Sequence, residues 1–304
     1  MSIDPEDLAS AGTPSANLGP KVSNSSEHTV LPVFLATFGA FSLSIVNASV
    51  FAVLIGLGMI FSGLVDVGDA QNLEEKMKAI GEIKTLNVAA GVLGTSSALL
   101  LVGLVLIARP RNHIVRRLRL YRPKFTDVIL ISLGMLGLTT ALSVVINILG
   151  LDQTGSLAEF HRMFQAWSFE EKMAMLPVLA LCPGIAEEVF FRGYALTKIE
   201  LAQGFKSAAI VTAVLFGLIH LDPIHSIAAA LMGIYLAYAI RLSGSLWTTI
   251  IAHTVNNAMA VLFPDLFADN LGVQVLALIL GLLTCGVALF VLYRQTDEPH
   301  AAQW

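Results

Sequence analysis

Two adjacent carboxylates, an arginine, two histidines and an asparagine stand inside stretches that are otherwise apolar. An ionisable group within a membrane costs a few kcal/mol to place there, so each is a functional candidate by default. The run PGIAEEVFFRG holds Glu187, Glu188 and Arg192. Glu188 and Arg192 are four residues apart, which puts them on one helix face as an ion pair that offsets part of the desolvation cost. Glu187 lies about 100° further round the helix. It has no partner in its own motif, and a carboxylate in apolar surroundings suits general base or acid work. Pro183 and Gly184, just before it, weaken the helix locally and can admit water or a substrate backbone.

Two further runs carry the remaining groups. FGLIHLDPIH places Phe216 and His220 on one face, with Asp222 and Pro223 closing the helix, and IAHTVNNAM brings His253 and Asn257 to a shared face. Taken singly, each has a structural reading: interhelical glue for Glu188 with Arg192, a solvated helix end for a histidine. Taken together they supply what peptide hydrolysis needs: a carboxylate to take a proton from water, imidazoles to hold that water or a divalent metal, and donors for the oxyanion. Glu187, His220 and His253 are the candidate ligands for such a metal, zinc for example. The arrangement is not the compact H-E-x-x-H pattern, so the ion would have to bridge separate helices. His225 and Asn256 sit beside these residues and read as an interfacial histidine and an interhelical hydrogen-bonding residue.

The order EExxxR, then FxxxH, then HxxxN, each on a hydrophobic segment, resembles the motif set of the CAAX protease and bacteriocin-processing (CPBP) family, which includes the type II CAAX prenyl endopeptidases. The resemblance spans roughly residues 173–263. It implies an intramembrane endopeptidase of eight helices, with the active site between helices four, five and seven. In it Glu187 and His220 would activate water, while His253 and Asn257 would stabilise the oxyanion or join a metal site. Glu188 and Arg192 would hold the site together. The implied substrate is a membrane-associated or prenylated protein or peptide. An inactive bacteriocin-immunity or scaffold protein is the alternative, and a transporter using Glu187 and Arg192 as a relay is a third reading.

The elements that must position these residues are membrane helices. Of 304 residues, 56% are hydrophobic and 13% charged, about half the charge of an ordinary soluble domain. Net charge is −4, and nothing in its distribution favours nucleic acid. With roughly 20 apolar residues per crossing, the chain divides into about eight spans: 30–65, 86–108, 127–149, 172–195, 206–220, 224–240, 246–263 and 273–293. The first run exceeds one bilayer thickness and is counted once, although a break near Asn47 would make it two.

The loop RPRNHIVRRLRLYRPK carries no acid and orients the chain with this loop cytoplasmic, anchored on anionic lipid headgroups. Arg241 and Arg294 fall on the same side, and both termini are then expected in the cytoplasm of a bacterium, with the protein in its plasma membrane. The segment 151–171 is expected along the opposite interface. The division that follows is a disordered polar tail (1–29), N-terminal spans with the basic loop (30–125), a protease-like core (126–294) and a short polar tail (295–304). Cys182 and Cys285 lie in apolar runs and read as inert buried thiols.

Overall fold

The computed structural model describes residues 26–61, 84–107, 114–153, 155–264 and 270–296. The stretch between the first two expected spans, the tail before Ser26, and Arg109 and Arg111 of the basic loop lie outside these. The described residues are helical, without strands. Helix α1 (Ser26–Phe61) starts inside the expected tail and runs unbroken past Asn47. Its 36 residues extend about 54 Å, well beyond the ~30 Å hydrocarbon core. Asn47 stays in the helix because its Nδ2 donates to Ser97 Oγ, 2.9 Å away, on α2 (Lys84–Ile107). Gly94 lets the two helices touch: a Cβ there would strike the backbone of Ala48.

The short helix α3 (Ile114–Arg117) leads into α4 (Phe125–Ile148), a turn at Leu151–Gln153, and α5 (Gly155–Ala166). A helical rod follows, made of α6 (Phe169–Leu176), α7 (Cys182–Glu187) and α8 (Thr197–Gln203) joined by wider π-helical turns. Helices α9 (Phe205–Leu218), α10 (Pro223–Ser243), α11 (Leu246–Leu262) and α12 (Leu271–Gln295) complete the bundle. Gly137 and Gly281 bring α4 against α12 so closely that neither tolerates a Cβ.

Among the described residues, six helices are long and apolar enough to cross a membrane: α1, α2, α4, the rod, α10 and α12. Two of the eight expected spans fall below that standard. Helix α9 has 14 residues and α11 has 17, giving about 21 and 26 Å of length. Both helices line the interior with residues such as Phe216, Ala209 and Ala252, and both also expose apolar side chains, Ile210 and Val214 on α9 and Trp247 on α11. Outward-facing side chains such as Phe38, Leu283 and Phe290 are apolar and exposed, as lipid contact requires. The chain is an integral membrane protein.

The basic face departs from a simple headgroup anchor. Arg117 and Arg119 are buried, and Arg119 pairs with Glu200 at 3.1 Å. Arg241 takes the other oxygen of Glu200 and stacks over Phe205. A loop carrying so many cations thus spends two of them inside the protein: Arg117 donates to the Ile107 carbonyl at the end of α2 at 2.8 Å, and Arg119 ties the loop to the end of the rod and, through Glu200, to α10. Arg241 does lie on the side of the basic loop. On the opposite side Ser168 and Glu171 form a capping box that starts α6.

Candidate functional site

Proline disrupts the rod just where the motif begins. Pro183 has no N–H to offer the carbonyl four residues back, and the ladder widens before it, with the N–H of Cys182 bonding Pro177 O, five residues back. Residues Glu188–Leu196 form a second π-helical segment. Such turns are uncommon and gather at functional sites. The expected local weakening at Pro183 and Gly184 is therefore realised as a change of pitch, and the rod continues.

Gly184 decides how near the rod comes to α11. A Cβ on it would collide with Thr254 Oγ1 and stand 3.2 Å from that residue's N and Cα. The contact places the next helical turn of the rod, with Glu187 and Glu188, against His253. Both carboxylates reach that one imidazole: Glu188 Oε1 lies 3.0 Å from Nδ1, and Glu187 Oε2 lies 3.8 Å from Nε2. The spacing within EExxxR could not disclose this, because the shared partner comes from a helix 65 residues away.

Glu188 also pairs with Arg192 at 2.6 Å, and this pair is almost fully buried. The guanidinium lies 4.5 Å over the Phe216 ring and makes a long 3.4 Å bond to Gly233 O. The Glu188 side chain is 0% exposed and that of Glu187 12%, so Glu187 is the less enclosed of the two carboxylates. A carboxylate only accepts, so His253 Nδ1 carries its hydrogen toward Glu188, leaving Nε2 toward Glu187.

His220 reaches the same neighbourhood through Phe216, whose ring stands 5.2 Å from His220 and 5.9 Å from His253. Its Nδ1 donates to the Phe216 carbonyl at 2.8 Å, which leaves Nε2 as an acceptor. His225, read from the sequence as an interfacial residue, packs against His220 with the rings tilted by 57° and their centroids 4.4 Å apart. Asn257 follows His253 by one turn of α11. Its oxygen accepts a long 3.4 Å bond from Asn256, whose own oxygen takes the Thr139 hydroxyl at 2.7 Å. Asn256 is thus interhelical, as its sequence position suggested.

Among the described residues, no group of three His, Cys, Asp or Glu side chains is placed to hold a metal ion. Glu187, His220 and His253 are therefore not gathered as a ready three-ligand set.

Comparison with known families bears on the segment that carries all of these residues. Residues 169–259 match the family model of type II CAAX prenyl endopeptidases, Rce1-like. No curated protein and no solved structure matches the chain. The matched stretch begins at the first residue of α6 and ends beyond Asn257, so it takes in Glu187, Glu188, Arg192, Phe216, His220 and His253 with their helices. Over residues 169–259 the chain is thus similar to the type II CAAX prenyl endopeptidases, Rce1-like.

Proposed function

We propose that this protein is an intramembrane endopeptidase that hydrolyses a peptide bond of a membrane-associated substrate, with Glu187 as the general base. The observation that carries the reading is the Glu187–His253 pair at 3.8 Å, drawn from two helices and backed by a buried Glu188–Arg192 ion pair. That separation is too long for a direct hydrogen bond and short enough for one solvent oxygen to touch both groups.

In the proposed reaction the Glu187 carboxylate takes a proton from this water while His220 Nε2 accepts its second hydrogen. The water oxygen attacks the scissile carbonyl carbon, a C–O bond forms, and the π pair moves to the carbonyl oxygen. Asn257 Nδ2 donates to that oxyanion, as does His253 Nε2 when the ring is protonated. Glu187 returns its proton to the departing nitrogen, the C–N bond breaks, and a carboxylic acid and an amine result. Glu188 and Arg192 fix His253 without touching substrate.

A prenylated CAAX protein is one substrate that fits, since the family model bears that description. Peptide precursors and membrane anchors of exported proteins suit the same chemistry. Comparative mass spectrometry of membrane peptides from cells carrying wild-type or Glu187→Ala protein identifies both substrate and activity. The reading expects intact precursors to accumulate with the variant; identical peptide profiles would contradict it.

A further inference from the structure

His225 stands against the candidate site without a task in the proposed chemistry, and a tight turn brings it there. Leu221, directly after His220, has φ +56°, in the left-handed region, where a leucine Cβ crowds the following carbonyl. Such a conformation persists only where its surroundings hold it. Asp222 is the next residue and supplies the hold. Its buried carboxylate accepts from the N–H of His225 at 2.9 Å and from the N–H of Ser156 at 2.9 Å, and the second bond ties α5 to the turn. Gly155 leaves room for that bond, since a Cβ on it would strike the carboxylate. The chain is thereby folded back so that two rings five residues apart meet: His220, just past the end of α9, and His225, in the first turn of α10, with centroids 4.4 Å apart.

The other contacts of the His220 ring are local. Phe216, one turn earlier, offers its ring at 5.2 Å and its carbonyl to Nδ1 at 2.8 Å. Of these neighbours only His225 comes from the next helix. We propose that His225 is a positioning residue, whose packed ring holds the His220 imidazole with Nε2 toward the attacking water. The inference rests on the protease reading above, in which that nitrogen accepts a hydrogen of the water. Among the described residues the His225 ring makes no hydrogen bond, so its hold on His220 is one of shape. Shape suffices for the task. The outer torsion of a histidine is broad, whereas a reacting group must be held within about 0.5 Å and 10–20° of its productive geometry.

The test uses full-length protein in lipid nanodiscs and quenched, membrane-anchored peptides, a prenylated CAAX peptide among them. His225→Ala is expected to lower kcat roughly 10-fold or more with KM changed less than about twofold, because the ring acts on the reacting step and not on substrate binding. His225→Ser, equally ringless and suited to a first helical turn, serves if the alanine variant does not fold. His225→Phe, which returns an aromatic ring of similar size, should recover most of the lost kcat. In a double-mutant cycle, the ringless change added to His220→Ala should cost nothing further, since nothing remains to be positioned. Unchanged kcat in the ringless variant, a change confined to KM, equal losses with and without the phenylalanine ring, or additive losses in the cycle would each overturn the positioning role and leave the protease reading intact. Wild-type protein that cleaves no membrane peptide, or turnover that survives His220→Ala, would overturn both.

Discussion

At the scale of single residues, the arrangement around His253 explains why the motif carries two carboxylates. Glu188 is enclosed and holds Nδ1, while Glu187 is the less enclosed of the two and lies beside Nε2. In the proposed reaction one glutamate orients the ring and the other exchanges a proton. Arg192 makes this possible, since without its guanidinium the enclosed Glu188 would be an uncompensated buried charge. Arg192→Leu is therefore expected to destabilise the protein by about 3–5 kcal/mol, read as a lowered thermal unfolding midpoint in detergent. Unchanged stability would mean that the pair does not hold the site. The four-residue spacings made Glu188 with Arg192, Phe216 with His220, and His253 with Asn257 legible in the sequence. The sharing of His253 between both glutamates and the packing of His225 on His220 were not, because both depend on how separate segments cross.

Among the elements, the rod and its contact with α11 matter most. Hydropathy located the rod, but its π-helical turns have no apolar periodicity to announce them; Pro183 alone marked the disturbance. Gly184 is the position where helix packing and chemistry meet. Gly184→Val should push α11 away, widen the gap between Glu187 and His253, and cost 10²-fold or more in turnover, the scale of a 1 Å misplacement. Activity retained in a folded Gly184→Val protein would show that this contact does not set the geometry.

The tie between α5 and the His220 turn carries a pH dependence. The N–H of His225, with that of Ser156, holds the Asp222 carboxyl below the usual carboxylate range. Its stabilisation is therefore fully present above the ordinary carboxylate value and is lost as pH falls through the lowered one. Asp222→Ala should remove about 1 kcal/mol at neutral pH and flatten this acid limb in thermal unfolding followed against pH. An unaltered acid limb would show that the tie contributes nothing.

For the whole molecule, the lipid-facing exterior and the polar interior divide the sequence cleanly, which is why a membrane bundle was evident from composition. The number of crossings was less evident. Hydropathy treats α9 and α11 as spans, yet they are shorter than the other crossing helices and divide their apolar residues between the interior and the exterior. The basic loop was legible as a charged face, whereas the Arg119–Glu200–Arg241 cluster was not, because Glu200 lies far along the chain. The bundle gathers the polar ends of three motifs within one interior, and the account rests on Glu187 being the base there. The most direct measurement is the turnover of purified Glu187→Gln protein on a substrate that the wild type cleaves. The account predicts a loss of roughly 10²–10⁴-fold with folding unchanged. Turnover equal to wild type would contradict it.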